Sequence, residues 1–222
     1  RCGETVNESI GVLFDMDGVL VDSEPVILAA AIAGLKEYGV FAKPEDFVPF
    51  IGAGEDRFIG GVAEKYGVEY KLEMKKRVYE IYLDMVDSNL KVYDGTVEVL
   101  EKLKQAGYKL ALASSADRIK IDANLRVAGI EKHIFTTIVS GEEVKEKKPS
   151  PEIYLKAAER IGLPPERCIV VEDAVNGIMS ARAAGMRSIG ITTSFDEEAL
   201  LNEGADFVCD NISQVYEIIS DL

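Results

Sequence analysis

Two pairs of acidic residues stand where carboxylate chemistry could occur, because each directly follows a short apolar run: Asp15 and Asp17, then Glu172 and Asp173. Alternate side chains of an extended segment point the same way, so Asp15 and Asp17 face one side while Met16 faces the other. If both runs are strands of one parallel sheet, the four acids share one edge. Like charges about 4 Å apart cost roughly 4 kcal/mol at an effective dielectric of about 20. The cluster therefore requires a metal ion, a lysine, or both.

The residue types near these acids indicate which metal would bind. Carboxylate and carbonyl oxygens with no histidine or cysteine beside them favour Mg²⁺ over zinc or copper. The single histidine, His133, follows no predicted strand and is interpreted as a structural or surface residue. Cys2, Cys168 and Cys209 are far apart and odd in number, which argues against a disulfide framework or a zinc site. No imidazole is left for acid–base work, which favours Asp17 for that role.

A lysine and two serines complete the candidate set. Two prolines beside Lys148 stiffen the start of a predicted helix and fix where this lysine points, so we assign it a functional role, whereas Lys147 is interpreted as a surface residue. Ser114 and Ser115 lie between an apolar run and a helical pattern, where hydroxyl and amide groups can bind an anion. A helix N-cap is an equally good interpretation of Ser114.

The elements that must position these residues follow from the apolar patterns. From residue 93 onwards, strand-like runs alternate with helical patterns, and the run at 11–14 is expected to join the same sheet. Strands are predicted at 108–113, 136–139, 168–171 and 187–191, and helices at 96–106, 116–128, 151–161 and 174–184. This alternation predicts an α/β fold with a doubly wound, Rossmann-like parallel sheet, whose ligands bind beyond the carboxyl ends of the strands.

A helical segment interrupts this pattern. A helix is predicted at 24–38 with Ser23 as its N-cap, and the pattern stays helical from 44 to 87 without a strand signal. We therefore predict a small all-helical domain at 24–91, inserted into a core domain formed by 1–23 and 92–222. The two joints between these domains, at 21–24 and 91–95, are expected to act as hinges.

The composition limits the classes of partner. The 222 residues include 25 basic and 39 acidic side chains, and a net charge of -14 argues against nucleic acid as a partner. The longest apolar stretch, at 26–35, is too short to cross a bilayer, so no membrane span is predicted. We expect a monomer in the cytoplasm. The chain begins with Arg1 rather than Met, which leaves a processed N-terminus or a longer parent protein open.

The order of the motifs resembles that of the haloacid dehalogenase superfamily. Its four motifs correspond to Phe14–Leu20, Ala113–Ser115, Lys148–Pro151 and Glu172–Gly177, and together they extend over most of the chain. The helical insert between the first and second motifs resembles the mobile cap domain of that superfamily.

The resemblance implies a role for each matched residue. Asp15 would be the nucleophile that forms an aspartyl-phosphate, and Asp17 would protonate the leaving oxygen and then deprotonate the attacking water. Ser114, Ser115 and Lys148 would hold the phosphoryl oxygens.

The resemblance also implies a set of metal ligands. Mg²⁺ would be bound by Asp15, by the backbone carbonyl of Asp17 and by Asp173. Glu172 would either be a ligand itself or support the others.

Within the superfamily, the core resembles the branch that contains β-phosphoglucomutase, phosphoglycolate phosphatase and sugar-phosphate phosphatases. The mutases carry a histidine where this chain has Ile27, and a second serine where it has Ala116. We therefore predict a phosphatase for a small phosphorylated metabolite, such as a sugar phosphate or a phosphoglycolate-like compound. A mutase-like phosphotransferase or isomerase is the alternative.

The insert and second motif also resemble the phosphatase-like domain of the suppressor of quenching proteins of plant thylakoids. This resemblance leaves open a plastid location and a regulatory or binding module of a larger protein. The loop at Gly52 and Gly54 would face the substrate, with Glu55, Asp56 and Arg57 as candidate specificity residues. The same segment also fits a helix start followed by a solvated run of charges.

Overall fold

The computed structural model describes residues 9–222, and Cys2 lies outside the described residues. The described strands are β1 (Gly11–Phe14), β2 (Val21–Asp22), β3 (Lys91–Val92), β4 (Lys109–Ala113), β5 (Thr137–Val139), β6 (Cys168–Glu172), β7 (Arg187–Ile191) and β8 (Phe207–Cys209). The main sheet has the order β5-β4-β1-β6-β7-β8, and every neighbouring pair in it is parallel. The predicted doubly wound α/β fold is confirmed.

Helices join these strands. The described α-helices are α1 (Glu24–Lys36), α2 (Glu55–Lys65), α3 (Leu72–Asn89), α4 (Thr96–Gln105), α5 (Arg118–Ala128), α6 (Glu152–Ile161), α7 (Val175–Ala183), α8 (Glu197–Asn202) and α9 (Val215–Ser220). Short 3₁₀ helices occupy Pro44–Asp46, Val48–Phe50, Lys132–Ile134, Gly141–Glu143, Pro165–Arg167 and Ile212–Gln214. Within residues 9–222, no helix is both long and apolar enough to cross a bilayer.

The register of the central strands determines which chain segments meet. Phe14, the last residue of β1, lies opposite Leu112 of β4 and Val171 of β6. The backbone N–H of Asp15 then donates to the Val171 carbonyl at 3.0 Å. Because these strands are parallel and in step, the segments after β1, β4 and β6 emerge side by side.

Three hydrophobic clusters account for most of the packing. Val12 and Phe14 of β1 belong to a cluster on one face of the sheet, while Leu13 belongs to a cluster on the other. This alternation buries β1 on both faces. A third cluster joins α1, α2 and α3, and includes Ala123 of α5. A separate cluster is the packing expected of an inserted unit at 24–91, whose status as a domain stays a prediction.

The two joints between the sheet and the helical insert lie side by side. Val21 pairs with Val92 and Asp22 with Lys91, so β2 and β3 form a short antiparallel ribbon. The Thr96 hydroxyl donates to the Leu20 carbonyl at 3.1 Å and adds a further link. The chain therefore enters and leaves the insert at one place, and hinge motion there stays a prediction.

The predicted N-cap role of Ser23 is wrong with respect to its side-chain hydrogen bond. Ser23 stands at the N-cap position of α1, but its side chain makes no capping hydrogen bond. Its backbone has helical angles instead of the extended angles of a capping residue, and Pro25 has no N–H to offer. The Ser23 hydroxyl instead donates to Asp17 Oδ1.

A buried hydrogen bond joins α3 of the insert to α5 of the core. The Tyr82 hydroxyl of α3 donates to Asn124 Oδ1 of α5 at 2.5 Å, and neither residue is exposed. We expect Tyr82→Phe to lower the free energy of unfolding by about 1–3 kcal/mol, because it leaves a buried amide oxygen without its donor. Urea denaturation tests this. Tyr38→Phe, whose hydroxyl bonds to none of residues 9–222, is the control, and an equal loss in both variants would contradict the expectation.

Candidate active site

A cavity of about 510 Å³ opens at the carboxyl edge of the sheet and is covered by the helical insert. Asp15, Asp17, Lys148, Glu172 and Asp173 line it. The insert contributes residues between Val48 and Phe58, so both units form its walls. The predicted acidic cluster and lysine are thus brought together where a doubly wound sheet binds its ligands.

Lys148 is the central cation of this site. Its Nζ donates to Asp15 Oδ1 at 2.9 Å and to Glu172 Oε1 at 2.6 Å, and its side chain is only 4% exposed. The Ala113 carbonyl, at 3.3 Å, is the third acceptor. The Tyr154 hydroxyl also donates to Glu172 Oε1 at 2.7 Å. One ammonium therefore links the end of β1 to the end of β6.

The charges of this cluster do not balance. Burial raises the pKa of Asp15 to about 7, with Glu172 and Asp17 adding to the rise and Lys148 opposing it. Burial also raises the pKa of Asp173, with Glu172 and Asp15 adding to the rise and Ser194 and Lys148 opposing it. Burial disfavours the Lys148 ammonium, but the carboxylates of Asp15 and Glu172 outweigh it and raise its pKa. One ammonium thus stands beside three buried carboxylates, those of Asp15, Glu172 and Asp173. A further cation would favour the ionised forms of these acids.

The donor set fits a hard divalent cation. Asp15, Glu172 and Asp173 each offer a carboxylate oxygen, and these oxygens lie within 4.8 Å of one another. Oxygen ligands of this kind suit Mg²⁺. Glu172 Oε2 already accepts hydrogen bonds from the backbone N–H groups of Asp173 at 3.0 Å and Ala174 at 3.2 Å. The carboxylates of Asp15 and Asp173 are less occupied.

Two glycines make room for these carboxylates. A Cβ on Gly18, whose φ is +78°, would lie 1.9 Å from Asp173 Oδ2. A Cβ on Gly177 would lie 1.8 Å from the Glu172 carboxyl carbon. Both glycines belong to the motifs found in the sequence, and these distances give the physical reason for a glycine at each place.

Asp17 occupies a second, separate cluster. Its carboxylate accepts a hydrogen bond from Ser23 and lies 3.1 Å from Lys120 Nζ. Lys120 also donates to Glu55 Oε1 at 2.8 Å, and its side chain is 3% exposed. Burial disfavours the Lys120 ammonium, but Asp17 and Glu55 outweigh it and raise its pKa. Lys120 therefore connects the predicted acid–base residue to the first residue of α2.

Lys120 belongs to none of the motifs that the sequence reveals. Its partners come from the end of β1 and from the insert, so no local motif brings them together. A weak signal existed, because Lys120 and Asn124 are polar, four residues apart and on one face of a predicted helix. Both are buried, at 2% and 0% exposure. A buried lysine at such a position requires an acidic partner.

The two serines lie after β4 as predicted. The Ser114 hydroxyl is buried and accepts a hydrogen bond from the Ala116 N–H at 3.2 Å. The N-cap position of α5 belongs to Asp117, so the N-cap interpretation of Ser114 is wrong. Ser115 lines the cavity, and its buried hydroxyl oxygen bonds to no residue in 9–222.

The predicted residues before and within the first turn of α2 lie partly inside and partly outside the cavity lining. Gly52, Gly54 and Glu55 line the cavity, but Arg57 is not among its lining residues. The Arg57 side chain is 60% exposed, with its guanidinium 5.4 Å from the centroid of the Phe50 ring and 3.8 Å from Glu64. Successive helical residues turn by about 100°, so a residue two positions beyond Glu55 faces nearly the opposite way.

Asp56 and His133 lie away from the cavity. The Asp56 carboxylate accepts hydrogen bonds from the Tyr70 hydroxyl at 2.6 Å and from Lys75 at 3.0 Å. These bonds hold the insert together. The His133 side chain is 84% exposed, which confirms its surface interpretation.

Comparisons with known proteins agree with this geometry. A family model described as haloacid dehalogenase-like hydrolase matches residues 12–191. Protein SUPPRESSOR OF QUENCHING 1, chloroplastic, from Arabidopsis thaliana is 43% identical over 92% of this chain, which spans 20% of that protein's length. A phosphorylated carbohydrates phosphatase from Thermotoga maritima is 37% identical, covering 87% of this chain and 91% of its own. The structure of β-phosphoglucomutase from Clostridium difficile has a TM-score of 0.83 at 25% identity, covering 96% of both chains.

We expect Lys120→Met to lower kcat/KM for the hydrolysis of a phosphate ester by about tenfold or more, which corresponds to ~1.4 kcal/mol. The substitution leaves Asp17 and Glu55 facing each other without the ammonium between them. Steady-state kinetics measure the loss, and a thermal melt confirms that the variant is folded. Lys104→Met removes the same charge from an exposed position on α4 and is the matched control. Equal kcat/KM in the two folded variants would show that Lys120 has no part in the reaction.

Proposed function

The chain belongs to the haloacid dehalogenase-like hydrolase family, and we propose that it is a Mg²⁺-dependent phosphatase acting on a small phosphorylated metabolite through a phosphoryl group on Asp15. The observation that supports this most is the buried Lys148 ammonium, which lines the cavity and is bonded to both Asp15 and Glu172. A phosphatase with this arrangement also agrees with the named activity of the Thermotoga maritima relative.

Asp15 is proposed as the nucleophile. Lys148 holds one of its carboxylate oxygens, which leaves the other available to attack phosphorus or to bind a metal ion. Asp15, Asp173 and the backbone carbonyl of Asp17 would hold Mg²⁺. Glu172, whose two oxygens accept four hydrogen bonds, is better suited to orienting Lys148 than to direct ligation. Bound Mg²⁺ would offset negative charge on the phosphoryl group during transfer.

The serines after β4 are proposed to bind the phosphoryl oxygens together with Lys148. The Ser115 hydroxyl has no other partner in the described part of the chain and lines the cavity. The Ser114 hydroxyl accepts one hydrogen bond, which leaves its proton free to be donated. Donors fixed in this way stabilise charge that develops on the transferring group.

Asp17 is proposed to move the proton in both half-reactions. In the first, an Asp15 oxygen bonds to phosphorus, the ester P–O bond breaks, and the leaving oxygen takes a proton from Asp17. In the second, Asp17 takes a proton from water, whose oxygen attacks phosphorus. The acyl phosphate bond then breaks, which frees phosphate and restores the Asp15 carboxylate. Ser23 and Lys120 hold Asp17 in place for both steps.

A mutase is the second candidate, because the solved β-phosphoglucomutase has the same fold along 96% of this chain. Ile27 lines the cavity at the position where the mutases carry histidine, and its side chain has no proton to exchange. This favours hydrolysis. Isomerised product that appears faster than free phosphate would favour the mutase instead.

A third candidate is a regulatory or binding module of a larger protein. This chain spans 20% of the length of its relative in Arabidopsis thaliana, which agrees with such a module. Because that relative is named as chloroplastic, a plastid location is an alternative to the cytoplasm. The paired Lys148 and the acids around it argue for turnover. A binding module would have no need of a buried nucleophile with a bonded lysine.

We expect phosphate release from sugar phosphates to require Mg²⁺, to stop when EDTA is added and to return with excess Mg²⁺. Asp15→Asn should lower kcat by on the order of 10³-fold or more, because it removes the nucleophile. The control is Asp84→Asn, which removes an equal charge from an exposed residue of α3. Undiminished turnover by Asp15→Asn, or turnover that persists in EDTA, would contradict the proposal.

A further inference from the structure

The cationic side chains that line the cavity are already paired with acidic residues. Of the described residues that line it, Lys148 and Lys120 are the cationic ones. Lys148 is bonded to Asp15 and Glu172, and is assigned to the phosphoryl group under the proposed function. Lys120 lies between Asp17 and Glu55. No unpaired cation among these lining residues is therefore left for a second anionic group on the substrate.

Glu55 instead offers a carboxylate as a hydrogen-bond acceptor. It is 8% exposed and lines the cavity. Its Oε1 accepts a hydrogen bond from Lys120, while its buried Oε2 makes no well-formed hydrogen bond within 9–222, although the Tyr79 hydroxyl interacts with this carboxylate. Because Glu55 lines the cavity, a hydroxyl donor on a ligand could hydrogen-bond to its carboxylate, which accepts several hydrogen bonds when ionised.

The surroundings of Glu55 carry more negative charge. Asp22 and Glu24 line the same cavity. Burial raises the pKa of Glu24, and although Lys120 opposes the rise, Asp17, Glu55 and Asp22 add to it. An anion placed in this part of the cavity would meet the same repulsion.

Apolar side chains form much of the remaining cavity wall. Val48, Phe50, Ile51 and Phe58 of the insert and Phe195 of the core line it. Apolar walls with a few fixed polar atoms suit a carbon skeleton that carries hydroxyl groups. An ammonium would be a poorer donor here, because the carboxylate it would meet is already bonded to the Lys120 ammonium.

We propose that the alcohol part of the substrate is an uncharged polyol or sugar, and that Glu55 accepts a hydrogen bond from one of its hydroxyl groups. A carboxylate or a second phosphate on the alcohol part is selected against. This inference rests on the proposed phosphatase function and narrows its substrate class. Glu55 acts in it as a specificity-determining residue.

Two matched pairs of phosphate esters test the inference. Glycerol 3-phosphate and 3-phosphoglycerate differ by a hydroxymethyl group in place of a carboxylate. Fructose 6-phosphate and fructose 1,6-bisphosphate differ by a hydroxyl group in place of a phosphate. In each pair we expect kcat/KM for the less charged ester to be higher by about tenfold or more, because the anion is repelled by the acids around it.

The Glu55→Gln variant assigns this selectivity to one side chain. We expect it to reduce the ratio of kcat/KM within each pair by about fivefold, since it removes one negative charge beside the alcohol. The ratio is the readout, because losing the Lys120 partner changes turnover of both esters. The control is Glu64→Gln, which removes an equal charge from the same helix at a side chain that is 59% exposed and outside the cavity lining. It should leave the ratio unchanged.

The outcomes separate the two levels of the proposal. Phosphate release from none of the four esters would contradict the phosphatase function, and the inference would be lost with it. Release from them with equal or higher kcat/KM for the anionic members would overturn the inference alone. A ratio that Glu55→Gln leaves unchanged would also overturn it.

Discussion

The structure depends on how negative charge is managed at the carboxyl edge of the parallel sheet. In-step strands place Asp15, Glu172 and Asp173 close together, and the Lys148 ammonium binds Asp15 and Glu172. Burial makes this pairing necessary, because unpaired carboxylates there would take up protons. The remaining imbalance is the physical reason for expecting Mg²⁺. It also explains the nearby glycines, since any side chain at Gly18 or Gly177 would occupy the space of a carboxylate.

The same device occurs a second time at the boundary with the helical insert. Lys120 binds Asp17 on the core side and Glu55 on the insert side. The residue proposed to move protons is therefore connected through one ammonium to a residue that faces the alcohol part of the substrate. Lys120 thus contributes both to the packing of the insert over the cavity and to the position of Asp17. Each lysine is paired with two acids, so the cavity presents a net negative charge to any molecule that enters it.

Much of this site could be predicted from the sequence because Asp15 and Glu172 lie at or directly after the ends of strands and Lys148 stands beside prolines at the start of a predicted helix. Asp15, Lys148 and Glu172 are local features of motifs, and a parallel sheet brings strand ends to one edge. Lys120 could not be predicted in the same way, since its contact with Glu55 spans 65 positions and depends on how the insert packs. Whether the Arg57 side chain faces the cavity depends on the residue at which α2 begins, which the sequence pattern does not determine. The elements β8, α8 and α9 have three to six residues each, too few to show a period.

The central claim is that a phosphoryl group passes through Asp15. Single-turnover mixing of enzyme, Mg²⁺ and a hydrolysed ester, with rapid acid quenching and peptide mass spectrometry, tests it most directly. We expect one transient phosphoryl group on the peptide that contains Asp15, which forms as the ester is consumed and decays as free phosphate appears. Ester consumed at the same rate with no phosphoryl group on that peptide at any time, or with the group on another residue, would contradict the account.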